Sequence, residues 1–258
     1  MLCLHRLSNR IFKSTLPGRI YGSQLSRNLN NITDITKLMK ECNRMKLNVL
    51  GPDVNESFVK FTANKVGDIR FGMGAIKGVG AGAVQDIINA REKSGEFKTI
   101  FDFAENVNLQ SVNKKNLEAL AMSGAFDNLN GIKRSSFFAG DDENDSTSFI
   151  EKIIRYGNRI QLERQSAQQS LFGAMSSSQA IKKPDIPNIE EWPKLVLLEK
   201  EKNLIGIYLT SHPLDDYRIE MEAFCSRDVT LKDLNNDIQK YKGKDFVFGG
   251  MVTAASEG

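Results

Sequence analysis

Gly78-Val79-Gly80 constrains this chain more than any other feature, because two glycines around one apolar residue interrupt what otherwise reads as two helical runs. The first run lies in IRFGMGAIK. The second, residues 81–92, sets Val84, Ile87 and Ile88 on one face before Gly95 ends it. Glycine accepts positive φ and lets another backbone come close. At such a bend the amides of Gly78, Val79, Gly80, Ala81 and Gly82 gather at the start of the second helix. Unpaired N–H groups and the positive end of the helix dipole favour an anion there. Lys77 adds a cation beside the turn.

Helix, tight turn and helix in this order make a helix-hairpin-helix. Its anion is expected to be a phosphate of a nucleic-acid backbone, so binding should ignore base sequence and weaken with salt. The alternative is a glycine-rich helix connection that binds nothing; Lys77 and the amphipathic helix after the turn favour the phosphate. A second unit follows. Ile100, Phe101 and Phe103 are expected in the core. A helix from about Asn113 carries Leu117, Leu120 and Ala121 on one side and stops at Gly124, a left-handed cap position followed by the apolar pair Ala125-Phe126. It reads as a degenerate second hairpin, to which Lys114, Lys115, Lys133 and Arg134 give basic character, although isolated solvated lysines need no ligand.

On the N-terminal side, residues 1–30 hold Arg6, Arg10, Lys13, Arg19 and Arg27, no acid and no sustained period, a composition shared by organelle transit peptides and disordered basic arms. After Asn31, Thr33 or Asp34 can cap a helix with Ile35, Leu38, Met39, Cys42 and Met45 on its apolar face. LNVL reads as a short strand ended by Gly51-Pro52. On the C-terminal side, DDENDSTS at residues 141–148 is an acidic loop too short and isolated to hold a metal. Residues 149–165 read as a helix with Ile150, Ile153, Ile154 and Tyr156 apolar.

SAQQSLFGAMSSSQAIKKPDIPNIEEWP, small, polar and proline-bearing, is expected to be a mobile exposed linker. Leu171-Phe172 within it would gain about 1.5–3 kcal/mol per side chain on burial in a partner, less the cost of ordering the segment. Gln168 can fix register by hydrogen bonds; folding back onto their own domain is the alternative for Leu171 and Phe172. The tail reads as a helix, an apolar strand and a turn in which His212 is structural. KYKGKDFVFGGMVT reads as the opening strand of a β-barrel, cut short because one strand makes no sheet.

Composition removes several other classes. The 258 residues carry 35 basic and 32 acidic side chains, and the resulting net charge of +3 names no partner. Hydrophobic residues at 40% allow a modest core or one in pieces. No apolar run approaches the roughly 18 residues of a membrane helix. Cys3, Cys42 and Cys225 stand far apart without a CxxC, and His5 and His212 are the only histidines, so neither a disulfide framework nor a zinc site is expected. A reduced, intracellular protein fits this usage.

In order along the chain, PDVNES, IRFGMGAIKGVGAGAV, FDF, NKKNLEALAMSGAFD, QQSLF, EKEKNLIGIYLTSHPLDDY and GKDFVFGGMVT resemble the alpha subunits of bacterial replicative DNA polymerase III, the C-family, over residues 25–258. The resemblance implies the end of a fingers domain at 25–69, a tandem helix-hairpin-helix at 70–140, a clamp-binding region with a flexible linker at 141–215 and the start of an OB domain at 216–258. The implied fold is mainly α, with short β elements and a truncated OB-type barrel strand at the C-terminus. By resemblance, Lys77, Gly78, Val79, Gly80, Ala81 and Gly82 would hold the backbone of duplex DNA. Gln168, Ser170, Leu171 and Phe172 match the family's internal sliding-clamp peptide. Other replisome subunits would be met through the parent protein, which is bacterial and cytoplasmic; no membrane partner is implied.

The family's catalytic carboxylates, which hold Mg2+ for nucleotidyl transfer, belong to an upstream palm domain without a counterpart here. The chain alone is therefore expected to be inactive and to use no cofactor. Residues 1–24 depart from the family. One back-translation of residues 6–23, read one base later, gives AYQIAFLKAHYPAEFMA, similar to the helix the family has there, so this segment is expected to be out of frame or disordered and not to fold. Two rivals remain: a base-excision glycosylase using Asp102, which lacks helices for a base pocket, and a stand-alone DNA-binding accessory protein.

Overall fold

A computed structural model describes residues 17–28, 32–64, 66–129, 131–140, 147–169, 181–226, 229 and 231–252. They divide into two compact units, one ending at Thr210 and the other beginning at Ser211. The first unit opens with α1 (Pro17–Arg27) and α2 (Ile32–Arg44). In α2 the expected face is formed: Ile35 and Cys42 are buried and Leu38 and Met39 pack against them, while Met45 beyond the helix is exposed. Burial pushes the Cys42 thiol up to about 11, so it stays protonated as a packing group.

α1 overturns the expectation that residues 17–24 do not fold. Proline suits the first position of a helix, where its missing N–H costs nothing. Leu25 is fully buried, and Gly18 lies so close to the Gly67 carbonyl that a Cβ would collide with it. The Ser26 hydroxyl donates to the carbonyls of Gly22 at 2.7 Å and Phe61 at 3.2 Å. Contact made through glycine backbone leaves little apolar period in the sequence. Residues 1–16 lie outside the described residues.

Three two-residue strands form the sheet. β3 (Ile69–Arg70) is central, parallel to β1 (Val49–Leu50) and antiparallel to β2 (Thr62–Ala63), with Ile69 opposite both Val49 and Ala63. The run before the glycine turn is thus not an α-helix but β3 followed by a 3-10 turn at Met73–Ala75. Met73 N–H donates to Phe58 O at 2.9 Å and Gly74 N–H to Val59 O at 3.1 Å, so the amides a helix needs are committed to a neighbouring segment. Gly72 allows that approach: a Cβ there would sit 2.6 Å from the Lys60 carbonyl carbon.

The helices α3 (Ala81–Ser94), α4 (Ile100–Asn106), α5 (Lys114–Met122), α6 (Phe149–Gln169) and α7 (Lys194–Ile205) complete this unit. A line of rings, Phe97–Phe103–Phe126–Phe137–Phe149, runs through the core with successive centroids 5.2, 5.1, 5.4 and 6.2 Å apart. Ile100, Phe101 and Phe103 are buried as expected. α6 crosses α4 at Gly157, where a Cβ would stand 2.5 Å from Ala104 O and 2.6 Å from Leu109 Cδ1. Gly157→Ala must push the helices apart and is expected to cost about 1–3 kcal/mol, seen as a lower urea midpoint at unchanged slope; an unchanged midpoint would remove Gly157 as the spacer.

Two linking segments also differ from expectation. Residues 189–192 are pinned, not mobile: Lys133 Nζ donates to Ile189 O at 2.9 Å and Ser135 Oγ to Glu190 O at 2.9 Å. The Glu191 carboxylate accepts the N–H of Arg134 at 2.7 Å and of Ser135 at 3.1 Å, and Trp192 packs on Phe138 at 5.3 Å. Burial alone would raise the Glu191 carboxyl; those N–H groups, with that of Trp192, hold it below the ordinary range. The expected strand after α7 is absent because Glu201 takes its amides, accepting from Leu209 N–H at 2.7 Å and Thr210 N–H at 2.8 Å.

The second unit contains α8 (Arg218–Phe224) and α9 (Leu231–Asn236). His212 serves its turn: its N–H donates to Asp215 Oδ2 at 2.6 Å and its Nδ1 accepts from Leu214 N–H at 3.2 Å. The expected barrel strand does not form in residues 244–252. Val247 is joined only locally to Ser226, through N–H to Oγ at 3.1 Å and O from N–H at 2.9 Å, and no ladder is offered to it among the described residues. Among the described residues no helix is long and apolar enough to cross a membrane.

Candidate nucleic-acid interface

The glycine turn points outward. Gly78 takes φ +90°, which a glycine accepts without strain, and Gly80 caps α3 from an extended conformation with no side-chain cap. Lys77, Gly78, Gly80, Ala81 and Gly82 are exposed, while Val79 is 7% exposed and anchors the turn in the core. Two amides are already used: Lys77 N–H donates to Leu204 O at 3.0 Å and Val79 N–H to Ile76 O at 3.1 Å. Val79 therefore contributes packing and not, as expected, an amide. The first bond of α3 runs from Val84 N–H to Gly80 O at 3.1 Å. This leaves the N–H groups of Gly78, Gly80, Ala81, Gly82 and Ala83 without an acceptor among the described residues.

A Cβ at Gly80 or Gly82 would meet nothing within 4 Å. Glycine inside a helix costs about 0.5–1 kcal/mol against alanine, and no packing among the described residues requires it at position 82. A Cβ at Gly78 would lie 3.7 Å from Lys115 Cε, so the start of α5 brings a second cation to the turn. From sequence, Lys115 was one of four basic residues with no preference among them. The other three are engaged: Lys114 with Glu151 at 2.9 Å, Lys133 with Ile189 O, and Arg134 with Asp127 at 2.5 Å.

The second glycine turn differs in kind. Gly124 has φ +83° as expected for a left-handed cap, but Ser123, Gly124 and Ala125 are all buried. Gly124 N–H donates to Ala121 O at 3.2 Å and Ala125 N–H to Leu120 O at 3.0 Å. The Arg134 guanidinium fills the space beside Gly124. This turn offers no amides to a ligand.

Asp102, the glycosylase candidate, belongs to the capping box of α4. Its carboxylate accepts from Thr99 N–H at 2.9 Å and Lys98 N–H at 3.1 Å, and its own N–H donates to Thr99 Oγ1 at 3.1 Å. Among the described residues no group of three or more His, Cys, Asp or Glu is placed to hold a metal ion, so no residue set here fits the Mg2+ that the resemblance implies for a parent enzyme. Gln168 lies in the last turn of α6; Ser170, Leu171 and Phe172 lie outside the described residues.

The exposed two-glycine turn leads into the N-terminus of α3 from a 3-10 turn in place of a first α-helix, and the family model described as helix-hairpin-helix motif matches residues 46–136. The chain is 31% identical to the DNA polymerase III subunit alpha of Vibrio cholerae and to that of Escherichia coli K12, over 94% of its own length and 20% of each relative. It is 34% identical to that of Pseudomonas aeruginosa over 85% of its length and 19% of the relative. The chain is similar to one segment of DNA polymerase III alpha subunits, and it spans about a fifth of the length of the curated relatives it matches. With 94% of the chain aligned, the match reaches into residues 1–24, against the expectation that this segment departs from the family altogether.

Proposed function

We propose that this chain is the part of a replicative DNA polymerase alpha subunit that grips the phosphate backbone of duplex DNA and, in the whole enzyme, joins that grip to a sliding clamp. The observation that carries the DNA reading is the open turn: amides of Gly78, Gly80, Ala81, Gly82 and Ala83 without acceptors, Lys77 and Lys115 beside them, and empty space above Gly80 and Gly82. Amides and lysines contact phosphate, not base edges, so the grip is independent of sequence. Clamp attachment rests on the match of Gln168, Ser170, Leu171 and Phe172 to the family's clamp peptide. Nucleotide addition is proposed for the whole protein only, since its metal-binding carboxylates have no counterpart in this chain.

Gly82→Ala tests the grip because its two effects have opposite signs. The helix gains about 0.5–1 kcal/mol, while the new methyl stands between a phosphate and the amides and lowers duplex affinity. Lys77→Gln and Lys115→Gln are each expected to flatten the plot of log affinity against log salt by about 0.9. Fluorescence anisotropy of a labelled duplex over a salt series reads both. A more stable Gly82→Ala protein that binds as before, with unchanged slopes in both lysine variants, rejects the grip.

A further inference from the structure

A second set of cations begins where the hairpin ends. Lys114, next to Lys115 at the start of α5, reaches across to α6 and bonds Glu151 at 2.9 Å, with Glu118 3.8 Å away. The hydrogen bond from Lys114 holds the Glu151 carboxyl below its ordinary range. The two acids nearest this edge therefore share a cation already. One turn further along α6 stands Arg155, and one turn beyond it Arg159; both are exposed, and neither has an ion pair or hydrogen bond among the described residues. At 1.5 Å rise per residue they are ~6 Å apart along the helix, a separation at which two guanidinium groups can take neighbouring phosphates of one strand. Glu163, a further turn on, ends the row.

We infer that Arg155 and Arg159 form a second phosphodiester-binding site, along which a duplex held at the hairpin continues over α6. The inference rests on the hairpin reading for the first contact and adds the second. Like charges at i and i+4 destabilise a helix by about 0.2–0.5 kcal/mol. Glu151 one turn before Arg155 and Glu163 one turn after Arg159 offset part of this, but Glu151 is bonded to Lys114 and both guanidinium groups keep their donors for an anion. Arginine suits a phosphate because its planar fork makes two parallel charge-assisted hydrogen bonds. The path from turn to row is continuous in the fold: Gly78 lies against Lys115, Lys114 ties α5 to Glu151, and Arg155 follows Glu151 by one turn.

The test uses the full chain and a labelled duplex of arbitrary sequence. Arg155→Gln with Arg159→Gln is expected to flatten the log–log salt plot by about 1.8, two contacts at ~0.9 each, with no loss of thermal stability. Lys37→Gln with Lys40→Gln, exposed positions on α2, removes the same charge and is expected to leave the slope alone. Arg155→Lys with Arg159→Lys keeps the slope while lowering affinity. An unchanged slope in the arginine-to-glutamine protein, or an equal loss in the α2 control, overturns the site. A full effect of the arginines together with silent Lys77→Gln and Gly82→Ala supports the α6 site and removes the hairpin instead. Absence of duplex binding by the unsubstituted chain removes both.

Discussion

Leu171→Ala with Phe172→Ala is expected to reduce affinity for the sliding clamp about a hundred- to ten-thousand-fold. Each side chain buried in a clamp pocket is worth about 1.5–3 kcal/mol, and every 1.4 kcal/mol is a factor of ten. The peptide begins from a fixed post. α6 is fastened to α4 by Gln161 Nε2, which donates to Ala104 O and Val107 O at 2.9 Å each, by Arg164 on Glu105 at 2.6 Å, and by the Tyr156 hydroxyl on the same carboxylate at 2.5 Å. Anchoring the helix up to Arg164 limits the segment that must be ordered on binding, and so the entropy cost. Gln168→Ala, losing one hydrogen-bonding side chain, is expected to cost only about 0.5–1.5 kcal/mol, and Ser170→Ala no more. Titration calorimetry against purified clamp gives the ranking. Equal affinity of the double variant and the unsubstituted chain would withdraw the clamp assignment while leaving the DNA grip standing.

What the sequence disclosed was local, and what it hid was carried by hydrogen bonds between distant segments. The face of Ile35 and Cys42, the burial of Val84, Ile87 and Ile88, the helix start near Asn113 and the left-handed Gly124 follow from spacing or from one residue's chemistry. The outward Gly78 turn was legible for the same reason. Its partner cation was not, because Lys115 reaches Gly78 only through the crossing of α5 behind the turn. Strand β3 stands where a helix was expected because Phe58 and Val59 take the amides of Met73 and Gly74. A carboxylate twice did what composition could not announce: Glu191 caps the turn at Arg134 and Ser135 from a tract that looked like linker, and Glu201 holds Leu209 and Thr210 out of a strand.

Arg134→Ala is expected to destabilise the protein by about 3 kcal/mol without weakening its hold on DNA. The Arg134 side chain is 13% exposed. Its Nε donates to Asp127 at 2.9 Å, its Nη1 to Met122 O at 3.3 Å, and Nη1 stands 3.7 Å from Glu201, itself 2% exposed. Asp127 is half exposed and its pair is worth little. Glu201 is the costly partner, because a buried carboxylate stripped of its cation loses about 3–5 kcal/mol. The three donors it keeps, Leu209 N–H, Thr210 N–H and Thr210 Oγ1, put the expectation at the lower end.

Gly124→Ala supplies the cross-check. Left-handed φ costs an alanine about 1–2 kcal/mol, and its methyl also needs the volume of the guanidinium. With Arg134 already removed the φ strain and the approach to Asp127 Oδ2, 2.8 Å from the new methyl, remain, but the clash with the guanidinium is gone, so the double variant should lose less than the sum of the single losses. Thermal melts read this at ~2–4 °C per kcal/mol, and strict additivity would contradict the plugged turn. Duplex affinity and its salt slope should stay constant in Arg134→Ala, because the amides of Gly124 and Ala125 remain bound to Ala121 and Leu120 whether or not the plug is present. A lower slope at unaltered stability would instead place Arg134 on the DNA and make the second turn a working hairpin.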